Sequence, residues 1–239
     1  MGNEHGEWIM RGVSENDPCC IKSCEQLIDV VNEIGFLPLF ANELRGFSVE
    51  ERTVSRYWWT DHTRDPWRWR EILAASGKVV YGKFFGKRAG FISLEWLPYF
   101  ANFRRDGYDF DARWEDEKAK FRSKRVMDVL PVGEKRFSYQ LKQQAGFGKG
   151  GEKNFEGIVT ELQMQTYLCV CDFQRRTNLR GEPYGWPVAV YTMPETLWGY
   201  DAVTAAYSEP PEQSAQRIVG RLHDFAPDED EATLRKWIK

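Results

Sequence analysis

The chain has 239 residues, 42% hydrophobic and 29% charged, enough for a buried core in one or two domains and unlike a disordered segment. Lys and Arg total 33 against 36 Asp and Glu, a net charge of −3, which excludes a uniformly basic nucleic-acid coat while leaving room for a local basic face. No apolar run reaches the roughly 18 residues of a membrane span.

In chain order, residues 1–22 lack periodicity and read as a loosely ordered lead-in; Met1-Gly2-Asn3-Glu4-His5 has neither block of a secretion signal, so cytoplasmic residence is expected. Ser23 with Gln26 has capping-box spacing, and Leu27, Val30, Val31 and Ile34 follow at helical intervals until Gly35, which predicts a helix over 24–34. Ser48 with Glu51 repeats the signal for a shorter piece. Asp65-Pro66 starts a helix running to about Ala75. Val79 to Ile92, broken at Gly86-Lys87-Arg88, reads as a hairpin. Ser93 caps a helix through Phe103 with a kink at Pro98, and Arg104 to Gly107 reads as a turn.

One charged helix is expected over 111–130, a short one over 139–145 behind Ser138, and a third where Phe155, Ile158, Val159 and Leu162 recur. Tyr167–Phe173 and Trp186–Tyr191 read as strands joined by a polar turn. Three helices followed by a hairpin is the order of a winged helix, placed at 112–192. The expected class is therefore α+β, mostly helical: a winged helix-turn-helix, three helices plus a β-hairpin wing, with helical N-terminal (23–111) and C-terminal (193–239) additions. In the tail, Pro210-Pro211 starts a helix and Asp228 caps a last one. No internal repeat is visible.

Charge is unevenly placed. Residues 121–180 hold 11 Lys/Arg against 6 Asp/Glu, a net +5, leaving −8 elsewhere. A basic module in an acidic chain suits a phosphate-backbone partner, because each neutralised phosphate releases counterion. Lys149, Lys153 and Asn154 fall at the lead of the third helix, and Arg175, Arg176 and Arg180 at the wing turn; Arg122 and Lys124 add further phosphate contacts. Duplex DNA is the expected partner, with a protein partner or homodimer left open, and no membrane association and no cofactor are expected.

Gly146-Phe147-Gly148-Lys149-Gly150-Gly151 has the letters G-x-G-x-x-G, but a dinucleotide loop must follow a strand, and here a helix precedes it. Five cysteines (19, 20, 24, 169, 171) and three scattered histidines read as reduced thiols without a metal site. Trp58, Trp59, Trp67 and Trp69 beside Asp61, His62 and Asp65 admit two readings: an aromatic pocket for a flipped base, or core packing, which the burial energy of aromatics favours. Lys83 and Lys87 flank two phenylalanines; a lysine so placed can serve as nucleophile, yet at a turn it is more often solvated. Nucleophile-elbow, HExxH and Walker A patterns do not occur.

The stretch Asn154-Phe155-Glu156-Gly157-Ile158 through Phe173-Gln174-Arg175-Arg176 to Val190-Tyr191-Thr192-Met193-Pro194 resembles the AlkZ/YcaQ-type winged-helix DNA glycosylases. Trp69–Gly77 followed by Val80–Ile92 looks like that family's segment leading to its Tyr-Trp-x-His-x-Ala block, so the resemblance covers about residues 65–195. It implies the fold and a DNA partner. The family's Gln-x-Asp or Gln-x-Gln motif has no counterpart over 24–40, where Gln26 and Asp29 stand two residues apart. Gln163-Met164-Gln165 has the letters at the end of the third helix, and the family's histidine position falls on Lys87. The resemblance therefore does not carry over excision of alkylated or crosslinked bases, and the chain looks like the truncated AlkZ-related proteins. Three readings stand: a DNA-binding protein related to repair glycosylases, a glycosylase with a rewired site using Asp29, Asp61 or Lys87, and a protein-interaction module.

Overall fold

Ser23 accepts the Gln26 amide at 3.2 Å and starts α1 (Cys24–Ile34), which buries Leu27, Val31 and Ile34 and ends at Gly35. In the computed structural model, which describes residues 10–178 and 180–239, strand β1 (Phe36–Pro38) follows at once. Two 3-10 turns, Glu50–Arg52 and Ser55–Tyr57, lead to α2 (Pro66–Ser76), β2 (Val79–Phe85) and β3 (Arg88–Ser93). Then come α3 (Leu97–Arg105), α4 (Phe110–Glu115), α5 (Phe121–Asp128), β4 (Lys135–Phe137), α6 (Ser138–Gln144), α7 (Phe155–Met164), β5 (Cys169–Thr177) and β6 (Pro183–Thr192). The tail forms α8 (Pro194–Trp198), α9 (Tyr200–Thr204), α10 (Pro211–Phe225) and α11 (Glu231–Trp237). The class is α+β.

The six strands form one antiparallel sheet in the order β1-β3-β2-β5-β6-β4. The order is palindromic. In each half the short first strand pairs with the second arm of a hairpin, and the hairpins' first arms meet at Tyr81 and Val170. One row, Leu37, Phe91, Tyr81, Val170, Tyr191 and Arg136, crosses all six strands. The sheet and its core therefore continue across the boundary expected at 111/112, because β2 and β5 lie on either side of it.

Both faces of the centre are covered. Neighbouring strand residues point to opposite faces. Tyr81 meets Phe91 and Phe173, and the Arg70 guanidinium of α2 stacks 4.2 Å from the Phe173 ring centre. On the other face a Cβ on Gly82 would stand 3.2 Å from Oε1 of Gln163 in α7, while Phe36 packs with Phe85, Phe100 and Trp237. Below α3, Arg105 is fully buried; it donates to Glu195 at 2.5 Å and to the carbonyl and hydroxyl of Thr166.

Several expectations need correction. Residues 10–22 are tied down, since Val13 and Ile21 donate to the Thr53 and Arg52 carbonyls and Ile21 is buried; the lead-in's first nine residues, His5 among them, lie outside the described residues. The single helix over 111–130 is two, broken where Glu117 takes φ 58. Pro98 sits in the first turn of α3, where its missing N–H costs nothing, and makes no kink. Arg104 and Arg105 belong to that helix, not to a turn. Asp230, not Asp228, caps α11. The strands β5 and β6 run to Thr177 and from Pro183, longer than expected.

Candidate nucleic-acid interface and adjoining cavity

The β5–β6 hairpin is buried at its root and bare at its tip. Cys169 to Cys171 are buried, whereas every described residue from Gln174 to Trp186 is exposed. Asn178 organises the tip: its Oδ1 accepts the Arg180 and Glu182 amides, and its Nδ2 donates to Glu182. Between the pairs Gln174–Val188 and Arg176–Tyr184, β5 advances two residues and β6 four, so Gly185, Trp186 and Pro187 bulge out. Trp186 is 88% exposed and Tyr184 50%. Arg175, Arg176 and Arg180 have no ion pair among the described residues; Arg176 instead lies 4.4 Å over the Tyr139 ring of α6. The two bare aromatics were not singled out in the sequence: Tyr184 fell in the expected polar turn, and Trp186 opened an expected strand, where an aromatic ordinarily marks a buried face.

α6 links this hairpin to the second basic group. It ends in the glycine-rich turn, where Glu152 donates to the Gly146 carbonyl and Gly151 to that of Gly148. Gly146 has φ 78, and any Cβ there would strike the Arg125 guanidinium, so this glycine serves a tight turn beneath a packed arginine. Lys149 and Lys153 are exposed and without ion pairs among the described residues, and Asn154 enters α7 at φ 68. Arg122 and Lys124 differ: Glu152 neutralises the first at 2.7 Å and Asp128 the second. Their charge is already spent inside the fold.

The three residues considered for catalysis are not brought together. Asp29 is exposed on α1. Asp61 is exposed in the loop before α2, where its amide donates to Asp65. Lys87 sits on the β2–β3 turn. Asp65 itself is buried and accepts the amides of Trp59, Thr60, Asp61 and Trp67, a structural cap. Trp58 and Trp69 are core residues with indoles bound to Thr53 and Thr63, so these two serve packing, while Trp67 is half-buried and Trp59 exposed. The five thiols are free. Burial pushes Cys24 and Cys171 up to about 11 and raises Cys169 as well, and no group of His, Cys, Asp or Glu suited to a metal forms among the described residues.

Lys87 instead opens onto a cavity of about 820 Å³ between α7, β2 and the end of α3. Lys83, Arg104, Lys120, Asn154, Glu156 and Thr160 share its lining. Buried Gln163 ties α7 to β2 beside it: its Oε1 accepts the Lys83 amide at 3.0 Å and its Nε2 donates to the Val159 carbonyl. Arg104 donates from Nη1 to the Met164 carbonyl and from Nε and Nη2 to that of Ile238, and no carboxylate stands within 4 Å among the described residues. Burial pushes this guanidinium down to about 9.

A family profile described as AlkZ related matches residues 21–239, and the chain belongs to that family. No curated protein and no solved structure matches it. No helix among the described residues is long and apolar enough to cross a membrane.

Proposed function

We propose that this chain is a duplex-DNA-binding protein of the repair-glycosylase lineage and that residues 112–192 form its winged helix. The observation that carries the reading is the bare hairpin tip: three uncompensated arginines and two solvent-facing aromatics on a strand pair that buries nothing beyond Phe173. Such a surface costs solubility without adding core, and it suits phosphates and base or sugar faces. The order α5-β4-α6-α7-β5-β6, with β4 on the outer side of β6, supports the winged-helix reading, with α7 as recognition helix and the hairpin as wing. Family membership supports the DNA partner. Lys149, Lys153 and Asn154 at the lead of α7 and Arg175, Arg176 and Arg180 on the wing contact the duplex. Arg122 and Lys124, already paired, add little. Excision chemistry is not part of the reading, since Asp29, Asp61 and Lys87 stand on separate elements.

The test is duplex binding across a salt series. Wild type is expected to show a steep log–log salt dependence, and R175A/R176A a weaker affinity with a flatter slope. A double variant indistinguishable from wild type overturns the wing assignment. Absence of retention at low salt favours a protein-interaction module instead.

A further inference from the structure

The cavity beside α7 has a composition that the hairpin reading does not use. Lys120 is neutralised by Glu161 at 2.6 Å. That leaves Lys83, Lys87, Arg104 and Lys239 facing one carboxylate side chain, Glu156, an excess of three positive side-chain charges in one recess. None of the three lysines has an ion pair among the described residues. A guanidinium has five N–H donors; Arg104 spends three on backbone carbonyls, so one N–H on each Nη is left over. Two such donors on adjacent nitrogens form the fork that grips two oxygens of one anion. The carbonyls also fix the side chain in advance, so little rotamer entropy remains to be lost on binding.

The backbone points the same way. The β2–β3 connection has two residues, Gly86 at φ 54 and Lys87 at φ 68, the signature of a type I′ turn. The second position of that turn favours glycine, and a lysine held there carries a left-handed backbone at a cost of about 1–2 kcal/mol. Strain of this kind at the rim of a cationic cavity is what a ligand-holding position looks like.

We propose that this cavity is a binding site for a phosphate monoester. A terminal phosphate carries about −1.5 to −2 charges near pH 7 and answers more of the excess in the recess than an internal phosphodiester, which brings only one. Lys83 and Lys87 supply point charges, Arg104 the two-pronged grip, and Asn154 and Thr160 polar contacts to whatever the phosphate is attached to. The site is independent of the wing and stands whether or not the hairpin holds DNA. The same chemistry has two sources: a free nucleotide-sized phosphate, or the 5′-phosphorylated end of a nucleic-acid strand.

Calorimetric titration of the full chain at constant ionic strength separates them, using inorganic phosphate, a 5′-mononucleotide, and one single-stranded 12-mer with and without a 5′-phosphate. Saturable binding of inorganic phosphate and the mononucleotide is expected, with Kd below ~1 mM. K83Q/K87Q is expected to weaken both at least 10-fold, and Arg104→Lys, which keeps the charge and loses the fork, by a similar factor. Lys78→Gln, on an exposed loop away from the cavity, leaves them unchanged. If the double variant does not fold, Lys87→Gln alone at its exposed turn gives the same reading with a smaller factor. A preference for the 5′-phosphorylated 12-mer that disappears in the lysine variants identifies strand ends as the source. Equal binding of the two 12-mers beside tight mononucleotide binding identifies a free nucleotide. Absence of saturable phosphate binding, or binding indifferent to Lys83, Lys87 and Arg104, overturns the proposal.

Discussion

Two hairpins hold corresponding places in the palindromic sheet, and they differ in what covers them. β2–β3 is roofed by α2 on one face and by α7 and α3 on the other, so every residue of β2 but Lys83 is buried, and a two-residue turn closes it. β5–β6 begins in the same core, with Cys169 and Val170 beside Tyr81, then runs on past the last helix that could cover it. The first hairpin is written by folding: its aromatics fill the interior. The second has a tip that folding does not need, yet it carries Tyr184, Trp186 and three arginines. Surface that contributes no burial is free to serve contact, which is the role proposed for it above.

Substitution sharpens that contrast most where burial is deepest. Phe91→Ala in the covered hairpin is expected to cost about 3–5 kcal/mol in urea or guanidinium unfolding; a loss below ~1 kcal/mol would erase the distinction between the hairpins. R175A/R176A at the bare tip is expected to leave the unfolding midpoint in place, lower duplex affinity at least ~10-fold and reduce the salt slope by about 1.8, two phosphates' worth of counterion. The buried interior, α1 and the hairpin root included, is also expected to respond to pH where the tip does not. The Cys24 and Cys171 thiols are held neutral in the fold, at about 11. Their contribution is complete below the unfolded thiol value near 8.5 and is lost as pH rises towards their folded values. Urea midpoints measured from pH 7 to 10.5 should therefore be flat and then fall, with part of the fall absent in Cys171→Ala. Lys87→Gly at the covered hairpin's turn should raise stability by up to ~1 kcal/mol while weakening phosphate binding. Trp186→Ala should move stability by less than ~0.5 kcal/mol, visible only in duplex affinity.

What the sequence disclosed follows how local each interaction is. α1, α2 and α7 were legible because a cap or a helical apolar stripe lies within ten residues of itself: Ser23 with Gln26, Asp65 before Pro66, Phe155 with Ile158 and Leu162. β1 and β4 were not, since three residues make no pattern and both exist only through pairing with β3 and β6. The break between α4 and α5 was hidden because a charged run has no apolar periodicity to lose. Basic residues at the β5–β6 tip and at the start of α7 could be placed, but not the ion pairs of the basic residues around them: Glu152 meets Arg122 across thirty positions. The cavity was invisible for the same reason. Arg104 is oriented by carbonyls 60 and 134 positions away, and no local window contains them.

The Gln163 contact decides the fate of one backbone donor in the middle of the sheet. Beyond Tyr81, β5 no longer pairs with β2, and the Lys83 amide that the ladder leaves over is taken by a helix side chain instead. One carboxamide thus satisfies a backbone donor that the two neighbouring strands leave over. Gln163→Leu, similar in bulk but unable to accept, would leave that amide unpaired, and it should cost about 1–3 kcal/mol in unfolding without any loss at the hairpin tip.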